Sequence, residues 1–271
     1  SVDYIFTDPP FGANIMYSEL NFMWEAWLKV LTNNTKEAIE NRTQAKSTLD
    51  YQNLMLDCFK ELHRVLKPNK WMTVEFSNTS AAVWNGIQTA LQRAGFIIAN
   101  VSALDKKQGS FKAVTTATAV KQDLVISCYK PSENFDLNFK SNQGVILVWD
   151  FVNEHLNHLP IHLQKENNTT AIIERSSKIL HDRLITYYLM NGLSIPIDAK
   201  EFQDGLKQRF IERDGMYFTA EQAAEYDEKK AKAPHFIQLS LIVTNESDAI
   251  EWLKDRLRKQ SQKYQDIMPE F

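Results

Sequence analysis

Apolar positions recur along the chain with two alternating periods, and that alternation predicts a layered α/β arrangement. Val2-Asp3-Tyr4-Ile5-Phe6 first alternates, then runs apolar, and reads as a strand broken by Asp8-Pro9-Pro10. Leu20, Met23, Trp24, Trp27, Leu28 and Leu31 share i, i+3, i+4 spacing, so Ser18–Leu31 is expected to be an amphipathic helix. Thr32–Ser47 is polar and reads as a loop or a mobile insertion. Asp50–Leu66 carries a second helical stripe (Leu54, Phe59, Leu62, Val65, Leu66) that Pro68 stops. Trp71–Phe76 is a short β-rich run. Ser80–Arg93 is a helix, capped by Thr79 or Ser80 and ended by Gly95. Phe96–Ala103 and Asp123–Tyr129 are further strands with no helix between them, so they are expected to pair antiparallel. Strand–helix–strand–helix–strand is the rhythm of a parallel-sheet fold.

The pattern changes after Pro131. Ser132–Gln143 is polar and rich in asparagine, which places a linker over 132–144 between a domain at 1–131 and a mainly α-helical domain at 145–271. Helices are expected over Val145–His155, Ala171–Met190, Ala199–Glu212 and Ala220–Lys232, the last behind a Thr219-x-x-Gln222 capping box. Phe236–Val243 reads as a lone strand, and a last helix runs from Thr244 or Asn245 through Lys259. A strand that starts at residue 2, with nothing before it to build a sheet, leads us to expect a longer natural protein of which this is the later portion.

Composition narrows the function classes. In 271 residues, 44 % apolar and 24 % charged, the chain has ample material for a core, which excludes bulk disorder. No apolar run approaches the ~18–20 residues that span a bilayer, so no membrane role is expected. The charge balance of 31 basic against 34 acidic residues gives −3 and no global field for nucleic acid; any such attraction must be local. Cys58 and Cys128 sit in apolar stretches and read as buried thiols of a reducing, cytoplasmic compartment. His155, His158 and His162 fall at helical spacing, but Pro160 interrupts them and nothing completes a ligand set, so no metal is expected.

One motif carries chemistry. Asp8-Pro9-Pro10-Phe11 follows the first strand directly. Its bland reading is a proline-rich strand end. Its functional reading is a grip on a flipped nucleobase, in which an acid accepts one amino hydrogen and a carbonyl stiffened by Pro10 accepts the other. Phe11 supplies a ring for stacking. Two acceptors on one amino nitrogen draw its lone pair out of conjugation and raise its nucleophilicity.

This tetrapeptide resembles the catalytic motif of the amino-group DNA methyltransferases, which methylate adenine N6 or cytosine N4 with S-adenosylmethionine. Leu62-His63-Arg64-Val65-Leu66-Lys67-Pro68 and Trp71-Met72-Thr73-Val74 are similar to the helix–strand step after the motif, and Asp123–Lys130 resembles the strand that closes the antiparallel edge of that sheet. The resemblance covers Ser1–Pro131. It implies a partial class I, Rossmann-like methyltransferase sheet followed by the helical domain. It implies a catalytic group of Asp8, Pro9, Pro10 and Phe11, with DNA as the partner. Asp8 in place of asparagine favours DNA over RNA or protein substrates, and adenine is taken over cytosine because large Asp-Pro-Pro-Phe/Tyr proteins more often modify adenine.

Other residues keep two readings. Asn14 and Tyr17 either line the base pocket or pack the start of a helix. The loop Asp105–Lys121, with Lys106, Lys107, Phe111 and Lys112, either grips phosphates and walls the pocket or is a solvated loop. From Asp105 to Lys130, five lysines stand against two aspartates. The family's Gly-x-Gly turn for S-adenosylmethionine does not occur, since the eight glycines are scattered singly. The cofactor motif and the N-terminal half that carries it are therefore expected upstream, leaving this chain inactive alone. Two rival readings stay open: a non-catalytic module that docks onto a restriction or defence partner, and an RNA methyltransferase.

Overall fold

The computed structural model describes residues 1–13, 16–78, 80–104, 123–141, 145–165, 168–232 and 236–237. Contacts divide the chain into two units, Ser1–His158 with Arg183–Pro196, and Leu159–Asp182 with Ile197–Phe271.

The first unit is built on a mixed sheet. Strand β1 (Val2–Thr7) leads through helix α1 (Tyr17–Leu28) and helix α2 (Thr48–Val65) to β2 (Leu66–Phe76); helix α3 (Ala81–Arg93) then leads to β3 (Ile97–Leu104), and β4 (Asp123–Tyr129) follows. The order across the sheet is β1-β2-β4-β3. β1 and β2 are parallel, as two strands joined through helices must be to lie side by side in this fold. β4 runs antiparallel to both β2 and β3. The expected antiparallel pair therefore forms, with β4 inside the sheet and β3 on its edge. β2 begins earlier than the Trp71–Phe76 run. Its register to β1 shifts between Val2↔Leu66 and Tyr4↔Trp71, and this bulge takes up Pro68 and the left-handed Asn69, at φ 60°.

Helix limits follow from local chemistry. α2 starts at Thr48 because Ser47 and Asp50 form a reciprocal capping box. α3 ends in a Schellman motif. Phe96 N–H donates to Leu91 O at 3.1 Å and Gly95 N–H to Gln92 O at 3.0 Å. Only a residue without Cβ enters the φ of 102° at Gly95 without strain. α2 and α3 cover the sheet with a core that includes Tyr51, Met55, Phe59, Met72, Val74, Phe76, Ile87, Leu91, Ile126 and Cys128. Cys58, expected inside, is exposed, because the next residue, Phe59, takes the inward position on α2. α1 also departs from its pattern. None of its residues is buried, and Trp27 is 83 % exposed, so its apolar stripe faces no described partner.

The connector at 132–144 contains helix α4 (Glu133–Ser141), which is followed by α5 (Val145–His158). Phe135, Phe139 and Phe151 pack on Tyr187, and Phe139 also meets Tyr188; these tyrosines belong to helix α6 (Ser177–Met190). His155 and His158 spend their rings on this packing. Tyr129 Oη bonds His155 Nδ1 at 2.9 Å, and His158 stacks on Tyr129 at 3.8 Å.

The second unit mixes short strands with helices. A three-stranded sheet joins β5 (Leu163–Lys165), β6 (Asn168–Thr170) and β9 (Phe236–Ile237), while β7 (Ile211–Arg213) and β8 (Met216–Phe218) form a hairpin between helices α7 (Ala199–Arg209) and α8 (Ala220–Lys232). The remainder of the expected strand to Val243 and the last helix lie outside the described residues. α7 stops short of Glu212 because Asp214-Gly215, both with positive φ, make the tight turn of that hairpin. The expected Thr219–Gln222 capping box starts α8. At the centre lies Arg175, fully buried. Its guanidinium donates to the carbonyls of Leu159, Pro160 and Tyr217 and to Gln222 Oε1, and lies 4.6 Å over the Phe218 ring. Burial lowers its pKa to about 10, which leaves it charged at neutral pH.

Arg175→Met is expected to destabilise this unit by ~3 kcal/mol or more, since it leaves several buried carbonyls unpaired; urea unfolding of the variant against wild type checks it. A second expectation concerns the first unit. Burial raises the phenols of Tyr51, Tyr129, Tyr187 and Tyr188, the last to about 12. The unfolded chain ionises near ~10, so between that pH and the folded-state values the native state binds more protons. Stability is therefore expected to be level in the mildly alkaline range and to fall as pH climbs from ~10 towards 12. Denaturation midpoints across this range test the sign.

Candidate active site at the carboxyl ends of the parallel pair

Parallel pairing aligns Thr7 with Val74, so β1 and β2 end on the same rim of the sheet. The rim beyond strand carboxyl ends is where open α/β sheets hold ligands. β1 delivers Asp8-Pro9-Pro10-Phe11 to this rim, and β2 delivers Ser77-Asn78. Asp8 is exposed, Pro9 is buried, and Pro10 and Phe11 are half-buried. The Phe11 ring meets the buried Phe76 ring edge-on, 5.2 Å between centroids at 81°. The core thus supports the Phe11 ring while part of the residue stays accessible.

Tyr17, at the start of α1, lies within electrostatic reach of Asp8. Its phenol is raised by partial burial and, next, by the Asp8 carboxylate. Of the two residues with open readings after the motif, Tyr17 feels the Asp8 charge; Asn14 lies outside the described residues. So do Lys106, Lys107, Phe111 and Lys112.

Four residues not singled out in the sequence complete the site's frame. Tyr51, in the first turn of α2, is fully buried, and its hydroxyl donates to Pro10 O at 2.5 Å. The same hydroxyl takes a hydrogen bond from the Gly12 backbone, which alone among its influences lowers the phenol. Burial first, then Glu40 and Tyr17, push it well up. Asn78 Nδ2 donates to Phe11 O at 2.7 Å while its Oδ1 accepts from Ser80 N–H at 2.7 Å. Glu40 N–H donates to Gly12 O at 3.3 Å. Gly12 itself turns with φ 84°, a conformation that a residue with Cβ adopts only under strain. Two of these residues had signals in the sequence. A glycine directly after a Pro-Pro-aromatic run marks a forced turn, and Asn78 stands where a strand parallel to β1 must end.

The polar segment 32–47 is a hydrogen-bonded loop. Lys46 Nζ donates to the carbonyls of Asn34 and Glu37, and the Glu37 carboxylate receives Ser18 N–H and Oγ–H at the head of α1. With Ala13, Met16 and Glu19 the loop borders a cavity of about 700 Å³ next to the motif.

The glycines with positive φ among the described residues are Gly12, Gly95, Gly192 and Gly215, which lie far apart in the chain. Among the described residues, no group of three His, Cys, Asp or Glu side chains is placed to hold a metal ion, and no helix is long and apolar enough to cross a membrane.

Residues 2–265 match the family described as DNA methylase (N6_N4_Mtase). The chain belongs to that family. No curated protein matches the chain. Two solved structures are similar to it in part. One is a putative DNA modification methylase, TTHA0409, from Thermus thermophilus, at 13 % identity and TM-score 0.28, with 56 % of each chain covered. The other is M1.HpyAVI in complex with SAM, at 12 % identity and TM-score 0.26, with 76 % of this chain and 87 % of that one covered. The matched part thus spans just over half the length of the Thermus protein. At these scores neither likeness bears on the assignment, which rests on the family match.

Because the Asp8 charge contributes to the raised Tyr17 phenol, Asp8→Asn is expected to lower the Tyr17 pKa, though not fully to its ordinary value, since partial burial remains. Ultraviolet pH titration, with Tyr17→Phe to isolate the signal, measures the change.

Proposed function

We propose that this DNA methylase chain presents the exocyclic amino group of a flipped DNA base, adenine N6, for methylation. The observation that carries the reading is the exposed Asp8 carboxylate set beside a proline-stiffened backbone at the shared end of two parallel strands. A base swung out of the duplex offers its amino group with two hydrogens. Asp8 accepts one and the Pro9 carbonyl accepts the other, so both acceptors are in place before the base arrives. Held this way, the nitrogen lone pair turns out of the ring's conjugation and becomes the nucleophile. Phe11, supported by Phe76, offers its accessible part for stacking, worth ~1–3 kcal/mol per base.

S-adenosylmethionine supplies the electrophilic methyl group in this family. The roles assigned here to residues of this chain are the binding and orienting of the amino group. Adenine and not cytosine, DNA and not RNA, and the phosphate-gripping role of Lys106, Lys107 and Lys112 are parts of this proposal that rest on the resemblance of the motif and on local charge, and a cytoplasmic site of action rests on the sparse cysteines.

Asp8→Ala in the natural full-length protein is expected to lower methyl transfer to duplex DNA by ~100-fold or more. Its melting temperature should hold, since an exposed side chain carries little of the stability. Mapping the modified base after wild-type reaction checks the substrate. An Asp8→Ala enzyme as fast as wild type would refute the role of Asp8, and methyl transfer to RNA alone would change the substrate class.

A further inference from the structure

The backbone after Pro9 is held in an unusual way. Three successive carbonyls each accept a hydrogen bond from a different part of the unit: Pro10 O from Tyr51 Oη on α2, Phe11 O from Asn78 Nδ2 after β2, and Gly12 O from Glu40 N–H in the loop before α2. Among the described residues, none donates to Pro9 O. We propose that Tyr51, assisted by Asn78, is a positioning residue that selects the Pro9 carbonyl as the one offered to the target amino group and fixes the direction in which it points. This rests on the substrate reading given above and adds to it the part of the fold that aims the acceptor.

The physical reason lies in the torsions. The peptide plane between Pro10 and Phe11 is tied at its oxygen by Tyr51, and the next plane is tied by Asn78. Between the first of these and the plane that carries Pro9 O lie only Pro10 φ and ψ. The pyrrolidine ring locks φ, so one soft torsion remains. Fixing the plane at Pro10 therefore leaves the Pro9 carbonyl little freedom. The donor is itself well fixed. Tyr51 is fully buried in the first turn of α2, whose start is set by the Ser47–Asp50 capping box, and its backbone N–H bonds Ser47 O at 3.0 Å. Gly12 N–H engages the same hydroxyl, so the phenol is held from both sides and its proton points at Pro10 O. Burial keeps that proton in place throughout the neutral range, so the donation does not switch with pH. Asn78 is likewise oriented from both ends, because its Oδ1 must accept from Ser80 N–H.

A residue that only fills space and one that aims a carbonyl make different demands on the hydroxyl. Tyr51→Phe keeps the ring and nearly its volume and removes the hydroxyl, and with it the donation to Pro10 O and the acceptor for Gly12 N–H. In the natural full-length protein, assayed with duplex DNA and S-adenosylmethionine at a temperature where circular dichroism shows the variant folded, kcat is expected to fall ~10- to 100-fold, as for a reacting group misplaced by a fraction of an ångström. KM for DNA and DNA binding should stay close to wild type, because the exposed surface of the site is unchanged. A Tyr51→Phe enzyme with wild-type kcat, or one in which kcat holds and only KM rises, overturns the proposal. If Tyr51→Phe does not fold, Asn78→Asp decides by the same criteria. It keeps an acceptor for Ser80 N–H and replaces the donor to Phe11 O by a carboxylate oxygen that repels it, so the Phe11 carbonyl is released. The wild-type arm separates the two levels of inference. Wild-type protein without methyl transfer overturns both readings, whereas active wild type with an unimpaired variant overturns the role of Tyr51 alone.

Discussion

The parallel pairing of β1 with β2 is the constraint on which the site depends. Parallel strands end on the same side of a sheet, so the register that sets Thr7 against Val74 also sets Asp8-Pro9-Pro10-Phe11 beside Ser77-Asn78. An antiparallel arrangement of the same two strands would put them at opposite ends. The bulge at Pro68 protects this register. It absorbs a residue that cannot donate to the ladder, and from Tyr4↔Trp71 onwards the pairing runs without further slip. Phe76 follows from the same geometry, since the last residue of β2 meets the first aromatic ring after β1.

Around that pair, rigidity is assembled from small local devices. Two prolines remove N–H donors and fix φ, which leaves the carbonyls as the motif's main hydrogen-bonding groups. A carbonyl held away from water needs a partner, and the neighbours supply one for each of three in succession. The result is a short irregular segment with the order of a secondary structure, held by a helix, a strand end and a loop together. Asp8 lies outside this frame and exposed, in the position expected of a group that meets a substrate.

The second unit is organised differently. Among its described residues, a hydrophobic cluster holds Ile172, Met216, Phe218, Ala223 and Tyr226, and a buried guanidinium ties its turns through their carbonyls. Charge-assisted hydrogen bonds do there part of what apolar volume does beneath the sheet of the first unit.

Much of this was legible in the sequence. The strand and helix order of residues 1–131 follows from two apolar periods, and Gly95 and Thr219-x-x-Gln222 mark helix ends through local geometry that needs no distant partner. Asp8-Pro9-Pro10-Phe11 could be singled out as a candidate because its four residues are consecutive. The β7–β8 hairpin was not legible, since both strands are too short for a period to register, and Ile211 and Glu212, expected at the tail of a helix, belong to β7. Exposure was misjudged for Cys58 and for the stripe of α1, because periodicity tells which residues share a face but not whether anything covers it. Tyr51 and Glu40 lay beyond reach altogether, and Asn78 showed only as a strand end, without its partner. They stand tens of residues from the motif they hold, and only the folding of α2 and β2 against β1 brings their donors within hydrogen-bonding distance of its carbonyls. Local bonding and periodicity act over a few residues and can be read along the chain, whereas which carbonyl is taken and which is left is decided by the meeting of elements that the chain keeps far apart.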